Sequence, residues 1–198
     1  MGVEVTLFDG GLSIDTQRKA IDDMAARDWD FVAIQAFGID TLGDPVKQMI
    51  AKGTPVIQMD TTISKDDIGI TTFLEPDNIY MGSVVSEAIF QKIGGKGNVI
   101  MTQGALGHTG AQGRAAGFKE AIAKYPDVKV LAEDPADWDV NKVAKLWEDY
   151  LVKYPDIQAG FFHNDDMALA AYNVIKNAGR EKDIVLGGVY AMPPALDA

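Results

Sequence analysis

Cysteine is absent from this sequence of 198 residues, and histidine occurs only twice. Without cysteine the chain forms no disulfide, offers no thiolate to a metal and carries no thiol nucleophile. The two histidines, His108 and His163, are far apart in sequence and have no carboxylate partner at ligand spacing. We therefore expect no metal site and no cofactor.

Long apolar runs and clusters of basic residues are also missing. No apolar stretch approaches the roughly 20 residues that a membrane-spanning helix needs, so we expect no membrane insertion. Acidic residues outnumber basic ones by 29 to 18, which gives a formal net charge of -11. Because nucleic-acid binding depends on neutralising phosphates with Lys and Arg, nucleic acid is excluded as a partner of this segment. With 47% hydrophobic residues, the composition is that of a globular protein with a substantial core.

Short apolar runs alternate along the chain with segments whose apolar residues recur at helical spacing. The runs predict strands at residues 3–8, 30–35, 55–59, 69–74, 98–103, 128–132, 158–162 and 184–189. The intervening periodicity predicts helices at residues 14–27, 42–52, 78–93, 111–124, 140–153 and 166–178. Such alternation is typical of an α/β protein whose parallel sheets are covered by helices on both faces.

One irregular stretch interrupts this alternation and indicates two lobes. Residues 61–77 contain a polar turn, an isolated strand and the sequence Glu75-Pro76-Asp77. We therefore predict two Rossmann-like lobes, 1–75 and 76–198. The first begins directly with a strand, and the second stops as a helix begins. The prediction is an incomplete pair of lobes, the first lacking its initial strand–helix unit and the second its C-terminal part.

Polar and aromatic side chains follow the predicted strands. In open α/β sheets ligands bind beyond the carboxyl ends of the strands, so these residues are the candidate site. They are Phe37, Asp60, Gln103, Trp138, Asn164 and Tyr190. Carboxylates and amides accept and donate to adjacent hydroxyls, and flat rings cover apolar C–H faces, which favours a polyol. Asn164-Asp165 also suits a helix start, with Asp165 as the cap.

Several motifs then resemble one family. They are Pro55-Val56-Ile57-Gln58-Met59-Asp60, Pro76-Asp77-Asn78, Gly113-Arg114-Ala115-Ala116-Gly117-Phe118, Pro135-Ala136-Asp137-Trp138-Asp139 and Asn164-Asp165-Asp166-Met167-Ala168. In order and spacing the chain resembles the ribose-type periplasmic binding proteins, which share their type I fold with the cores of sugar-responsive repressors. The resemblance implies sugar contacts from Asp60, Trp138 and Asn164.

The chain departs from the ribose-binding pattern at three positions. Gln112 stands where those proteins have an Arg, with Arg114 two positions on, so both join the candidate ligand residues and bring their number to eight. Thr61 stands at a second Arg position. Tyr190 replaces a common Asp. The hydrogen-bonding groups of the pocket therefore differ, and we expect another pentose, a hexose or a sugar alcohol rather than ribose.

The resemblance implies a monomeric, periplasmic solute-binding component of an ABC importer. It would bind a monosaccharide or sugar alcohol between its lobes, deliver it to a permease and catalyse nothing. Two binding roles remain open beside it: the sensing core of a sugar-responsive repressor, and a receptor for a furanosyl signal molecule. An enzyme is disfavoured because Gly104, Gly107 and Gly110 have the spacing G-x-x-G-x-x-G, not that of a dinucleotide site.

Overall fold

The computed structural model describes residues 2–197, which form two compact units. The first unit comprises the chain up to Pro76 together with Gly107–Thr109, and the second comprises Asp77–Leu106 and the chain from Gly110 onward. Every strand pair among the described residues is parallel, and helices lie between the strands in sequence. The predicted α/β fold with parallel sheets is therefore confirmed.

The first unit contains a three-stranded sheet in the order β1-β2-β3. Its elements are α1 (Ile14–Ala25), β1 (Val32–Ile34), α2 (Gly43–Ala51), β2 (Val56–Met59) and β3 (Thr72–Leu74). Apolar side chains of α1 and α2 pack with those of β1 and β2 into one core. Residues 107–109 join this unit through hydrogen bonds from Ile39 N to Gly107 O and from Thr62 N to the Thr109 hydroxyl.

The strand predicted at residues 3–8 is wrong. This segment has no regular secondary structure, and Val3, Val5 and Leu7 are 71%, 78% and 89% exposed. Alternating apolar residues form a strand only where a neighbouring strand pairs with them and a core covers one face. Neither condition holds for these residues, so the alternation misled the prediction.

The second unit contains a four-stranded sheet in the order β5-β4-β6-β7. Its elements are α3 (Asn78–Lys92), β4 (Lys96–Gln103), α4 (Thr109–Ile122), β5 (Asp127–Pro135), α5 (Val140–Lys153), β6 (Ala159–Phe162), α6 (Asp165–Asn177), β7 (Val185–Gly187) and the short α7 (Pro193–Leu196). All four residues of β6 are buried. Phe161 packs with Phe90 and Phe118 of α3 and α4, whereas Phe162 packs with Trp147 of α5. The sheet is thus covered on both faces.

Helices α3 and α4 approach each other closely because glycine lies at their contact. A Cβ added at Gly117 would lie 2.0 Å from Ile79 O, and one at Gly82 would lie 2.3 Å from Arg114 O. Gly113 faces Asn78 in the same way, with its added Cβ 2.6 Å from Asn78 Cβ. Only glycine permits such backbone contact. This contact sets the position of Arg114, which lies between Gly113 and Gly117 on α4.

The start of α6 differs from the prediction in one respect. The capping residue is Asn164, whose side-chain oxygen accepts a hydrogen bond from Met167 N at 2.9 Å. Asp165, predicted as the cap, is the first residue of the helix, and its buried carboxylate accepts from Met192 N at 2.6 Å. The Asp165 carboxylate does not cap α6, because the Asn164 side chain already accepts a hydrogen bond from the first turn of the helix.

Candidate functional site

In the first unit, Asp60 is held at the carboxyl end of β2 by its neighbours. Its backbone has a φ of 60°, and its N–H donates to Leu74 O at 2.8 Å. The side chain is 19% exposed, and its Oδ2 accepts from Gln35 Nε2 at 2.9 Å. Asp60 Oδ1 accepts no hydrogen bond from the described residues, so one carboxylate oxygen is available to a ligand hydroxyl.

His108 lies beside this carboxylate, although the two residues are far apart in sequence. Its Nε2 lies 3.7 Å from Asp60 Oδ2 and 2.6 Å from the buried Thr61 hydroxyl. Sequence spacing did not predict this contact, which arises because residues 107–109 join the first unit. Thr61, which stands at an Arg position of ribose binders, therefore pairs with an imidazole.

Two further groups complete the polar end of the first sheet. Phe37 is half-buried, and its N–H donates to Gln17 Oε1 at 2.8 Å. Burial and then the negative charge of Asp60 raise the pKa of the Glu75 carboxyl. Asp60 and Glu75 thus place two carboxyl groups at this end of the sheet, and the His108 imidazole lies 3.7 Å from Asp60 Oδ2. Such a set accepts hydrogen bonds from hydroxyls and repels anions.

In the second unit, Trp138 follows β5, and its indole packs against Gly104 just after β4. A Cβ added at Gly104 would lie 2.2 Å from the indole, so the ring covers the backbone of that glycine. Trp138 and the preceding Asp137 both have positive φ, of 65° and 52°. The His163 ring lies next to the indole, with centroids 6.2 Å apart. The predicted stacking ring is thus positioned by the ends of β4, β5 and β6.

Arg114 is fully buried, and its guanidinium joins three parts of the second unit. Nε donates to Asn78 Oδ1 at 3.0 Å, Nη1 to His163 O at 2.6 Å, and Nη2 to the Tyr190 hydroxyl at 2.5 Å. Its central carbon lies 5.6 Å from the centroid of the Trp138 ring and 4.6 Å from that of Tyr190. The predicted residues Arg114, Trp138 and Tyr190 therefore form one cluster.

His163 supports this cluster from within. Its Nδ1 accepts from Gly104 N at 3.1 Å, so the proton of the neutral ring resides on Nε2, a buried atom without a hydrogen-bond partner. Burial, together with the nearby Arg114 charge, lowers the pKa of His163 to about 3. The ring is therefore neutral at pH 7. His163 thus lies at the end of β6 as a buried, neutral support for the cluster.

The other predicted residues are less closely associated with the cluster. Asn164 follows His163 directly and is half-buried; its oxygen caps α6, while its amide nitrogen has no hydrogen bond among the described residues. Gln103, half-buried, donates to Glu133 O at 3.4 Å. Gln112 is exposed and donates to Leu106 O at 2.9 Å. Whether these residues contact a ligand stays a prediction.

A cavity of about 390 Å³ lies elsewhere in the second unit, between α6, β7 and α7. Its lining is of mixed character and includes Leu169, Ile184 and Leu196 together with Asp165 and Glu181. It contains none of the eight predicted ligand residues. The side chains that suit a hydroxylated ligand are those at the strand ends, so the cavity is not the candidate site.

Residues that sequence analysis assigned no ligand role also shape the site. Asn78 and Gly104 position Arg114 and Trp138, although the sequence shows them only as a helix start and a turn glycine. Across residues 2–197 no cluster of three or more His, Cys, Asp or Glu side chains could hold a metal ion. Within the same residues, no helix has the length and apolarity required to cross a membrane.

Comparison with known proteins identifies the family. The model of the periplasmic binding protein domain matches residues 1–198. The ribose import binding protein RbsB of Salmonella typhimurium is 30% identical over 94% of this chain and 62% of its own length. The xylitol-binding protein of Mycolicibacterium smegmatis is 28% identical over 93% of this chain and 53% of its own length. The chain thus spans little more than half the length of these curated relatives.

A solved structure supports the same assignment. The fructose-binding periplasmic domain of a hybrid two-component system superposes with a TM-score of 0.91 at 32% identity, covering 97% of this chain and 63% of that one. The family match extends over the whole chain and agrees with the parallel sheets and the motifs at their strand ends. It also confirms the expectation of a binding protein rather than an enzyme. The chain belongs to the periplasmic binding protein domain family.

Proposed function

We propose that this chain binds a neutral monosaccharide or sugar alcohol and serves as the solute-binding component of a periplasmic ABC-type importer. The carrying observation is the cluster in the second unit, where the Trp138 and Tyr190 rings both lie close to the Arg114 guanidinium and Asn164 follows β6. A flat apolar ring beside a few polar groups is the common composition of a small-ligand site. Within the first unit, Asp60 is a separate candidate contact, because one of its carboxylate oxygens accepts no hydrogen bond from the described residues.

The charge of these groups favours a neutral ligand. Arg114, the cation of the cluster in the second unit, is fully buried, and its guanidinium donates to three protein oxygens. In the first unit Asp60 lies close enough to Glu75 to raise the pKa of that carboxyl. A sugar carboxylate or phosphate would face negative charge there without a free guanidinium to balance it. Two relatives named for xylitol and ribose are consistent with neutral ligands.

A thermal-shift and calorimetry screen tests the proposal. The panel is D-ribose, D-allose, D-fructose, xylitol and myo-inositol, with D-glucuronate and ribose 5-phosphate as anionic controls. A ligand present at 100 times its Kd stabilises the folded chain by about 2.7 kcal/mol. In a protein of this size that stabilisation raises Tm by roughly 5–11 °C. We expect saturable binding of at least one neutral compound. Binding of the anions alone, or of none of the seven, would refute the proposal.

A second role is favoured by one comparison. The structure with a TM-score of 0.91 is the fructose-binding periplasmic domain of a hybrid two-component system, which favours a role in sensing. A deletion strain separates the two roles by uptake of the radiolabelled sugar identified in the screen. Loss of uptake supports import. Normal uptake combined with loss of sugar-induced transcription supports sensing.

A further inference from the structure

Arg114 cannot contact a ligand in the conformation described here. Its side chain is 0% exposed, and each of its three guanidinium nitrogens donates to a different protein oxygen. The acceptors belong to Asn78 at the start of α3, to His163 at the end of β6 and to Tyr190 beyond β7. One buried cation therefore connects three segments that end at the same edge of the second unit.

The guanidinium also lies close to both aromatic rings of the candidate site. Its carbon is 5.6 Å from the Trp138 centroid and 4.6 Å from the Tyr190 centroid, distances at which a cation is attracted to a ring. Tyr190 has a φ of 104°, a backbone conformation that L-residues rarely adopt. Its ring nevertheless remains 52% exposed. A strained residue keeps such a conformation only where its surroundings hold it, and Arg114 supplies a hydrogen bond and a ring contact.

The hydrogen bond from Arg114 also determines what Tyr190 can offer. The Tyr190 oxygen accepts from Nη2, which uses one lone pair, and its own proton then points away from the guanidinium. The exposed side of the hydroxyl is therefore a donor. A ligand atom that meets it must accept a hydrogen bond.

We propose that Arg114 is a positioning residue of the sugar site: it fixes the Trp138 and Tyr190 rings and orients the Tyr190 hydroxyl as a hydrogen-bond donor to the ligand. The inference rests on the proposed function and adds a specificity rule to it. Next to the Tyr190 hydroxyl the ligand must present a hydrogen-bond acceptor. A ligand hydroxyl at that position is not required to donate its proton.

The test measures affinity by calorimetry for whichever of D-ribose, D-allose, D-fructose, xylitol or myo-inositol binds the unaltered chain. Tyr190→Phe removes only the hydroxyl, and Arg114→Lys keeps a charge but loses the planar fork. We expect each to weaken binding about tenfold, because the ligand loses one hydrogen bond. Because Arg114→Lys already releases the Tyr190 hydroxyl, the double variant should bind more weakly than Arg114→Lys alone by less than about threefold.

Analogues of the bound compound provide a measurement that a merely structural role would not change. Deoxy analogues lose both acceptor and donor at one position, whereas deoxyfluoro analogues keep a weak acceptor. In the unaltered chain one position should show the fluoro analogue binding better than the deoxy analogue. In Tyr190→Phe that difference should vanish. Tyr172→Phe and Arg180→Lys, matched substitutions elsewhere in the second unit, should leave affinities unchanged.

The possible outcomes are separable. If the unaltered chain binds none of the five compounds, the proposed function fails and this inference fails with it. If it binds one but Tyr190→Phe leaves affinity and the fluoro-to-deoxy difference unchanged, only the inference is overturned. Fully additive losses in the double variant also overturn it. Should circular dichroism show that Arg114→Lys does not fold, Tyr190→Phe and the analogues decide alone.

Discussion

At the scale of single residues, Asp60 and Asn164 carry the most direct predictions. Asp60→Ala removes an acceptor whose second oxygen has no hydrogen bond among the described residues. We expect it to weaken binding of the cognate sugar by about 1–3 kcal/mol, because ligand hydroxyls lose a buried partner. Calorimetry against the sugar found in the screen measures this loss. Asp66→Ala, at an exposed turn residue of the same unit, is the matched control; equal affinity of the two variants would remove Asp60 from the site.

Asn164 needs a different substitution because its side chain also caps α6. Asn164→Ala would destabilise the fold by about 1 kcal/mol through the lost cap, which would obscure its effect on binding. Asn164→Asp keeps a capping oxygen and loses the amide donor. We expect the Asp variant to unfold at the same urea concentration as the unaltered chain and to bind sugar about 1–3 kcal/mol more weakly. Unchanged affinity in that variant would leave Asn164 with a capping role only.

His163 predicts an acid sensitivity of the fold. Burial holds the pKa of its ring at about 3, against an ordinary value of 6.5. The unfolded chain therefore binds a proton that the folded chain does not, and stability is lost as the pH falls from 6.5 toward 3. The loss from this group approaches about 1.4 kcal/mol per pH unit in that window. Urea unfolding at pH 7, 6 and 5 should show it.

The matched variants for this effect are His163→Gln and His108→Gln. Each removes one of the two histidines. Relative to the unaltered chain, His163→Gln should lose less stability between pH 7 and pH 5, by roughly 2 kcal/mol. His108→Gln retains the buried His163 ring and should keep that part of the acid dependence. Parallel pH profiles for His163→Gln and the unaltered chain would contradict the assignment of the acid response to His163.

Residue types and strand ends indicated which kinds of side chain form the site, but not how they are connected. Asp60, Trp138 and Tyr190 each follow a strand, and the sequence shows this directly. The contact between His108 and Asp60 and the burial of Arg114 depend on where loops return, which periodicity does not report. Arg114 was grouped with the ligand residues because an exposed Arg and a buried one look alike in sequence.

At the scale of elements, the contact between α3 and α4 depends on glycine. Gly117→Ala would place a methyl group 2.0 Å from Ile79 O, so the two helices must separate. We expect destabilisation of about 2–3 kcal/mol, toward the upper part of the usual range for overpacking. Urea unfolding measures it, with Gly43→Ala as the control because a Cβ at Gly43 meets nothing within 4 Å. Similar losses of unfolding free energy in Gly117→Ala and Gly43→Ala would show that α3 and α4 can separate at little cost.

Helices were predicted more accurately than strands for a physical reason. Helix α5 spans Val140–Lys153 as predicted, because its apolar face is regular and Asp139 accepts from the N–H groups of Asn141 and Lys142 at its start. A helix satisfies its own hydrogen bonds, so local sequence defines it. A strand depends on a partner, and residues 3–8 show how an alternating pattern fails without one. The glycine contact of α3 and α4 is likewise tertiary and was not predicted.

At the scale of the whole molecule, the net charge of -11 gives a prediction about salt. A neutral sugar exchanges no charge with the protein, so screening should leave its affinity nearly unchanged. Raising the ionic strength from about 0.01 M to 1 M shortens the Debye length from roughly 30 Å to 3 Å. We expect Kd to change by less than about twofold over this range. A steep dependence on NaCl concentration, measured by calorimetry, would indicate a charged ligand and contradict neutrality.

The grouping of Gly107–Thr109 with the residues before Pro76 has a practical consequence for anyone who divides the gene. A fragment ending at Pro76 would lose the imidazole beside Asp60, and one starting at Asp77 would carry three residues whose hydrogen-bonding partners had been cut away. Neither fragment matches a compact unit of the structure, although the Pro76–Asp77 bond is the main boundary between the two units. Permuted or grafted versions should therefore keep the tripeptide with the earlier segment.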